Sequence, residues 1–179
     1  MGIPTDLDTS SMKELIAYFP EMIGWCKLPE TVEREANNLS EDSPMGIVMV
    51  GMGGSSIAGQ YCNELLFEES QLPLIIVRDY DLPRYVDNKW IVIAVSYSGN
   101  TEETLSCFDT AKRRNSGCFI ISSGGKLTQL GEQNRSVPLP KGLQPRAPLP
   151  IIFSVEFQLI RILLGLEKFD FDATQMAVK

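Results

Sequence analysis

The sequence predicts an α/β fold: a three-layer sandwich in which helices cover both faces of a five-stranded parallel sheet with flavodoxin-like strand order. Short apolar runs rich in β-branched residues alternate with longer stretches of helical periodicity along most of the chain. Small-residue turns join the two kinds of segment, as in right-handed βαβ units. The flavodoxin-like order follows if the first and third strands are neighbours.

Composition and charge exclude several classes of function. The chain has 179 residues, which suits one domain with an appendage, and 44% of them are hydrophobic. Its net charge is −7 and no basic cluster is longer than Lys112–Arg114, whereas nucleic-acid binding requires a basic face. The apolar stretch Ile151–Leu166 is too short and too charged for a membrane span, which needs roughly 20 mainly apolar residues. We therefore expect neither nucleic acid nor a membrane as a partner.

The cysteine and histidine contents limit the chemistry further. Four cysteines lie far apart with no Cys-x-x-Cys pair, and no signal peptide is evident, so we expect free thiols and a cytoplasmic location. The absence of histidine excludes Ser–His–Asp and Cys–His catalysis and most catalytic zinc sites. We expect neither a metal ion nor another cofactor. Any chemistry must use carboxylates, Lys, Arg, Tyr, Cys or hydroxyl groups.

Changes in pattern divide the chain into three parts. Residues 1–44 are expected to form an N-terminal helical segment and residues 45–150 the α/β domain. Residues 151–179 are expected to form a C-terminal helix and tail that packs on the domain or on a partner. The stretch Ile151–Leu166 is apolar nearly all round, so this helix must be buried. One of its faces can pack on the sheet, and the other would need a second subunit or a second domain.

Two helices are expected before the first strand. The apolar spacing of residues 10–27 is helical, with a break or kink at Pro20. Proline suits the first helical turn, so a second short helix should begin at Pro29 and run to about Leu39. Five apolar runs then predict the strands, at Ile47–Val50, Leu74–Val77, Ile91–Val95, Cys118–Ile121 and Ser136–Leu139.

Helices are expected after the first, third and fourth strands, with ends near Glu68, Asn115 and Gln133. The start of the second of these helices is locally specified, because Asn100 and Glu103 fit an N-cap and a variant of the capping box. Its end is also marked, since Asn115–Gly117 is typical of a helix stop.

The turn after the third strand carries the clearest functional signal. This serine loop, residues 96–101, contains Ser96, Ser98 and Thr101 and leads directly into a helix. The first backbone N–H groups of a helix have no intrahelical partner and lie at the positive end of its dipole, which favours an anion. The three hydroxyl groups can add neutral hydrogen-bond donors around the same anion. The serine loop therefore predicts phosphate binding.

A second turn, the glycine turn Gly51–Gly59, follows the first strand. Parallel topology places both turns at one crevice, outside the carboxyl ends of the strands. The Gly-x-Gly start also fits an NAD-binding Rossmann domain, with Asp79 or Asp81 as the ribose-binding acid. That fingerprint requires a third glycine where Ser56 stands, and it leaves the serine loop unexplained. It is the less favoured alternative.

The string Ser-Tyr-Ser-Gly-Asn-Thr-Glu-Glu-Thr at residues 96–104 resembles the signature loop of sugar isomerase (SIS) domains. More narrowly, it is similar to the S-x-S-G-N-T-x-E-T loop of the dual-specificity phosphoglucose/phosphomannose isomerases. That family also has a glycine-rich first loop, here Gly51–Gly59. It has an arginine about 50 residues after the serine loop in a proline-rich setting, here Arg146 between Pro145 and Pro148. The match covers nearly the whole chain but only about the first half of the family's usual length.

The resemblance implies a phosphosugar-binding site. The expected ligand is fructose 6-phosphate, glucose 6-phosphate or mannose 6-phosphate. The glycines would let the backbone approach the sugar, and the arginine would stabilise charge that develops on a reacting oxygen. The candidate residues are Gly53, Gly54 and Ser55 at the sugar, Ser96, Ser98 and Thr101 at the phosphate, and Arg146 as a catalytic residue.

The family's reaction, aldose–ketose isomerisation through an enediol, requires groups that this chain does not match. In the resembling family the base is a Glu and the ring-opening group a His, and both lie beyond the matched region. We therefore expect the chain to bind phosphosugar but to turn it over poorly on its own. A homodimer or a second SIS domain is the expected partner. The alternative is a non-catalytic phosphosugar-binding or sensor module that uses the same pocket.

Overall fold

The computed structural model describes residues 12–144 and 146–171. Within these ranges the helices are α1 (Met12–Ala17), α2 (Phe19–Met22), α3 (Glu30–Glu41), α4 (Gly54–Leu65), α5 (Glu102–Arg113), α6 (Gly125–Leu130) and α7 (Leu149–Leu163). The strands are β1 (Gly46–Val50), β2 (Leu74–Val77), β3 (Trp90–Val95), β4 (Gly117–Ser122) and β5 (Ser136–Pro138). A 3₁₀ turn at Gln133–Arg135 precedes β5.

The strands form a five-stranded sheet in the order β2-β1-β3-β4-β5, and every neighbouring pair is parallel. Val50 at the end of β1 pairs with Val77 of β2 and with Ala94 of β3, so these three strands end at nearly the same level. Strands β1 and β3 are buried along their whole length, as expected for near-continuous apolar runs in a parallel sheet. The predicted flavodoxin-like order is confirmed.

Helices cover both faces of the sheet, because successive strand residues point to opposite sides. On one face, Ile47 and Met49 of β1 belong to a buried cluster that includes residues of α3, α4 and α7. On the other face, Val48 and Val50 belong to a cluster that includes residues of α5 and α6. The three-layer sandwich is therefore confirmed.

The segment before β1 is less helical than predicted. The continuous pattern over residues 10–27 is interrupted, since α1 ends at Ala17 and α2 ends at Met22. The break falls ahead of Pro20, which occupies the first turn of α2, where a proline needs no N–H partner. Residues 10 and 11 of the predicted helix lie outside the described residues.

Tertiary contacts explain why the helical pattern fails after α2. Gly24 has φ 83, and the thiol of Cys26 donates to the carbonyl oxygen of Pro138 at 3.4 Å, so the chain leaves the helical path there. Helix α3 follows Pro29 as predicted and extends to Glu41. Helices α4 and α6 each end three residues earlier than predicted.

Helix α7 lies deep in the molecule. It begins at Leu149 and ends at Leu163, so both ends fall earlier than the predicted Ile151–Leu166. It packs against α2, α3, α4 and β4, and most of its residues are buried within this chain. Phe153 and Phe157 also line an apolar groove of about 930 Å³ beside α4. Within the described ranges, no helix has both the length and the apolar character needed to cross a membrane.

Helix α7 carries a buried carboxyl group, Glu156, which the sequence marked only as an interruption of an apolar run. Glu156 is 0% exposed, and neither carboxyl oxygen has a hydrogen-bond partner among the described residues. Its Oε1 faces Gly59 of α4, where a Cβ atom would approach to 3.3 Å. Burial raises the pKa of Glu156 to about 8. Burial, followed by the charge of Glu156, raises the pKa of the neighbouring Cys62 thiol.

Candidate functional site

The serine loop joins β3 to α5 and is closed by its own hydroxyl groups. The Oγ of Ser96 lies 2.8 Å from the Oγ1 of Thr101, and the N–H of Gly99 donates to Ser96 Oγ at 3.1 Å. Ser96 is only 2% exposed, Thr101 is half-buried and Ser98 is exposed. The buried pair therefore fixes the shape of the loop, whereas Ser98 lies at its solvent-exposed rim.

The start of α5 corrects the predicted capping box. Thr101, not Asn100, is the N-cap residue, and no side chain caps the first N–H groups of the helix. Asn100 instead accepts a hydrogen bond at 3.1 Å from the N–H of Lys126. The N–H groups in the first turn of α5 are thus left without a side-chain partner at the positive end of the helix dipole. This arrangement favours an anion.

The turn after β4, residues 122–125, holds the serine loop in place through backbone contacts. Gly99 has φ 69, and a Cβ atom there would overlap the carbonyl oxygen of Gly124. Gly125 has φ 68, and a Cβ atom there would overlap the carbonyl oxygen of Ser98. Sequence reasoning missed this close approach of two turns, although the adjacent pair of glycines after β4 was a signal that could have found it.

The glycine turn after β1 borders the serine loop. A Cβ atom at Gly51 would lie 3.1 Å from the carbonyl oxygen of Val95, the last residue of β3. Gly53 is exposed with φ 53 and is the N-cap of α4, whose first turn has no side-chain cap. Gly54 and Ser55 follow in that turn and are half-buried. The structure therefore brings the two predicted turns side by side at the carboxyl edge of the sheet.

The loop that carries Arg146 starts from the same edge, after β5. It is tied to the edge where the N–H of Leu139 donates to the carbonyl of Ser122 at 2.9 Å. A second tie is the carbonyl of Pro140, which accepts a 2.9 Å hydrogen bond from the Tyr97 hydroxyl. Arg146 is exposed, and no hydrogen bond or ion pair within residues 12–144 and 146–171 engages its guanidinium group. The guanidinium group is therefore free to meet a ligand, but the structure does not join it to either turn.

Acidic groups surround the start of α5. Glu102 accepts a hydrogen bond from the Tyr80 hydroxyl at 3.3 Å, and the charge of Glu103 is the main cause of a raised pKa at Tyr80. Asp79, a candidate ribose-binding acid, instead accepts a 2.7 Å hydrogen bond from the N–H of Tyr80. Burial raises the pKa of the Cys107 thiol to about 11, so it is protonated at neutral pH. The described part of the chain contains no group of three or more Cys, Asp or Glu residues that could hold a metal ion.

The sequence has relatives among curated proteins, although no protein-family model matches it. It is 38% identical over 157 residues to the bifunctional phosphoglucose/phosphomannose isomerase of Caldicellulosiruptor bescii. This match covers 87% of this chain and 45% of that protein. It is 45% identical over 103 residues to the protein of the same name from Thermoplasma volcanium, which covers 58% of this chain and 32% of that protein. The chain thus spans less than half the length of these relatives.

Solved structures share the fold at low sequence identity. The C-terminal domain of glucosamine-fructose-6-phosphate aminotransferase from Francisella tularensis has a TM-score of 0.68 at 16% identity, covering 98% of this chain and 54% of that one. The tagatose-6-phosphate ketose/aldose isomerase from Escherichia coli has a TM-score of 0.65 at 16% identity, covering 98% of this chain and 52% of that one. In sequence and fold together, this chain is a relative of the bifunctional phosphoglucose/phosphomannose isomerases that spans less than half of their length and has the α/β fold of phosphosugar isomerase domains.

Proposed function

We propose that this chain is the phosphosugar-binding domain of an isomerase that interconverts aldose and ketose phosphates through an enediol. The observation that carries the proposal is the serine loop, where hydroxyl groups and uncapped helix N–H groups meet at the carboxyl end of β3. The names of the relatives support a hexose phosphate as the ligand, namely fructose 6-phosphate, glucose 6-phosphate or mannose 6-phosphate.

In this proposal, neutral groups hold the phosphate. The Ser98 hydroxyl group donates to the phosphate from the exposed rim of the serine loop. The N–H groups in the first turn of α5 donate to the same phosphate. Ser96 and Thr101 share one hydrogen bond, which uses only one of their two hydroxyl protons. The second proton is available to a phosphate oxygen. The loop can therefore keep its shape and still donate to the ligand.

The sugar is proposed to lie over the glycine turn. Gly53 is the N-cap of α4, and Gly54 and Ser55 follow in its first turn, at the edge shared with the serine loop. The absence of a Cβ atom at the two glycines lets the backbone approach the sugar. Arg146, exposed on the loop after β5, would stabilise negative charge on an oxygen of the enediol as the proton moves.

The proposal divides catalysis between this chain and another domain. The sequence contains no histidine, and Glu103 lies in the first turn of α5, at the proposed phosphate end of the ligand and not at the carbon atoms that exchange the proton. A second SIS domain is therefore proposed to supply the base and the ring-opening group. A homodimer of this chain would add no histidine. It would suit the alternative function, a non-catalytic phosphosugar-binding or sensor module that uses the same pocket.

The binding proposal is tested by calorimetry with fructose 6-phosphate. Simultaneous change of Ser96, Ser98 and Thr101 to alanine should abolish binding, since it removes the three serine and threonine hydroxyl groups proposed to hold the phosphate. The matched control changes three half-buried hydroxyl residues outside the two turns to alanine, namely Ser70, Thr110 and Ser136, and should bind as the unchanged chain does. Unchanged affinity in the serine-loop variant would contradict the proposal.

A single change tests one exposed donor while the buried hydroxyl pair of the loop stays in place, although it also removes the acceptor of the Asn100 N–H. Ser98→Ala leaves the Ser96–Thr101 pair intact and removes one exposed donor, so it should weaken binding by about tenfold or less.

The division of catalysis is tested by assaying fructose 6-phosphate turnover with and without a separately produced second domain. Robust turnover by this chain alone would refute that division.

A further inference from the structure

Tyr97 belongs to the serine loop, but its hydroxyl group is bound elsewhere. The hydroxyl donates to the carbonyl oxygen of Pro140 at 2.9 Å and accepts a hydrogen bond from the N–H of Leu143 at 2.8 Å. Both partners are backbone groups of the loop after β5. Tyr97, Leu143 and Leu149 are partly buried and pack against the core cluster that includes residues of α7, so the position of the Tyr97 ring is constrained.

The two hydrogen bonds span a bend of four residues, 140–143. Gly142 occupies its third position with φ 88, the conformation that a type II β-turn requires there. Such a turn is often closed by a direct bond from the fourth N–H to the first carbonyl, but the described backbone hydrogen bonds do not include one between Leu143 and Pro140. The Tyr97 hydroxyl lies between these two groups and satisfies both of them. Without it, the bend would lose the contacts that close it.

This bend lies shortly before Arg146 in the chain. Beyond Leu143, the N–H of Ala147 donates to the carbonyl of Gln144 at 2.9 Å, and Ala147 is fully buried two residues before α7. Described residues on both sides of Arg146 are therefore held, by the Tyr97 hydroxyl before it and by the buried Ala147 after it. Since the guanidinium group has no partner of its own in the described residues, its reach depends on where this backbone lies.

We propose that the Tyr97 hydroxyl is a positioning group that ties the Arg146 loop to the serine loop, so that the two ends of a sugar phosphate are held at a fixed separation. The inference rests on the proposed function. Inorganic phosphate would occupy the serine loop alone and would not need this tie. Fructose 6-phosphate would reach both loops and would need it.

The test is calorimetry of the full chain with two probes, inorganic phosphate and fructose 6-phosphate. Tyr97→Phe keeps the ring and removes the hydroxyl. We expect it to weaken fructose 6-phosphate binding by roughly five- to tenfold, the loss of about one hydrogen bond, and to change phosphate binding by less than about twofold. Arg146→Ala should weaken fructose 6-phosphate binding in the unchanged chain but add little in the Tyr97→Phe background, since the two residues act as a unit.

Two further variants keep the result interpretable. Tyr61→Phe removes an exposed hydroxyl on α4 and should leave both affinities unchanged. Gly142→Ala strains the same bend with the hydroxyl intact and meets no atom within 4 Å, so it should fold and should selectively weaken fructose 6-phosphate binding.

The outcomes distinguish this inference from the function on which it rests. If the unchanged chain binds neither probe, the proposed function and the positioning role both fail. If it binds both, but Tyr97→Phe and Gly142→Ala bind fructose 6-phosphate normally, only the positioning role fails. Equal weakening of both probes would show a general structural effect and would also overturn the positioning role.

Discussion

Buried polar side chains are hydrogen-bonded in the serine loop but lack hydrogen-bond partners between α4 and α7 among the described residues. In the serine loop, the hydroxyl groups of Ser96 and Thr101 pair with each other and stay neutral. Between α4 and α7, Glu156 is buried without a hydrogen-bond partner in the described residues, and its pKa rises to about 8. A neutral hydroxyl group can be buried at little cost and still turn towards a ligand. A buried carboxyl group instead makes the stability of the fold depend on pH.

The largest expected effect comes from a substitution that separates the serine loop from the turn after β4. In Gly99→Ala, the new Cβ atom would overlap the Gly124 carbonyl oxygen at a φ of 69, so the two turns must separate. We expect loss of binding to both phosphate and fructose 6-phosphate, and a decrease of about 4 kcal/mol in the free energy of unfolding. Calorimetry and urea unfolding measure the two effects.

A matched glycine variant isolates the contribution of that overlap. Gly53 also has positive φ, but a Cβ atom there meets nothing within 4 Å. Gly53→Ala should therefore lose only about 1 kcal/mol of stability through backbone strain. Equal destabilisation by the two substitutions would show that the contact between the turns does not hold the loop.

The second prediction concerns Glu156. Its pKa is raised in the folded state from 4.5 to about 8, so the folded chain holds the proton more tightly than the unfolded chain. Both states bind the proton well below pH 4.5, and the stability that it contributes is lost progressively as pH rises from 4.5 through about 8. We expect the free energy of unfolding to be lower at pH 9 than at pH 5 by on the order of 3 kcal/mol from this group.

Urea unfolding at the two pH values tests the sign of this dependence. Glu156→Gln is neutral throughout and should remove most of the decrease. Glu132 is the matched control, because it is exposed and the hydrogen bond from Lys112 lowers its pKa. Glu132→Gln should leave the alkaline decrease in place. A decrease of the same size in Glu156→Gln would contradict the assignment.

The smallest expected effect on stability concerns the outer surface of α4. Ile57, Tyr61 and Leu65 are 38%, 53% and 59% exposed at helical spacing, beside the apolar groove lined by Phe153 and Phe157. If the chain forms the proposed homodimer or meets a second domain here, Tyr61→Lys with Leu65→Lys should reduce association and change stability by less than about 0.5 kcal/mol. Sedimentation velocity over a range of concentrations measures association. Association that the double variant leaves unchanged would remove this surface as the contact.

The sheet could be predicted from the sequence because each central strand is a short apolar run, and alternate residues such as Ile47 and Val48 must enter different layers. The capping of α5 could not, because the partner of Asn100 is the N–H of Lys126, 26 residues along the chain. Periodicity likewise does not show that Glu156 lies inside the fold with no partner. Local patterns found the elements, and contacts between distant residues decided how their polar groups are satisfied.

At the predicted site, too, the sequence predicted the positions of the turns but not the contacts between their side chains. Adjacency of the serine loop and the glycine turn followed from parallel topology, since both turns leave the carboxyl ends of neighbouring strands. The closure of the serine loop by Ser96 and Thr101 did not follow, because spacing alone does not reveal which hydroxyl groups face each other. The ligand contacts of both turns and of Arg146 stay predictions.

The carboxylates of Glu102 and Glu103 in the first turn of α5 have a kinetic consequence. A phosphate dianion approaching this chain of net charge −7 is repelled before any short-range donor can reach it. Dissolved ions screen that repulsion, and the screening (Debye) length is about 10 Å at an ionic strength of 0.1 M. Encounter with an anionic sugar would therefore become faster as ionic strength rises, the reverse of capture by a lysine-rich pocket.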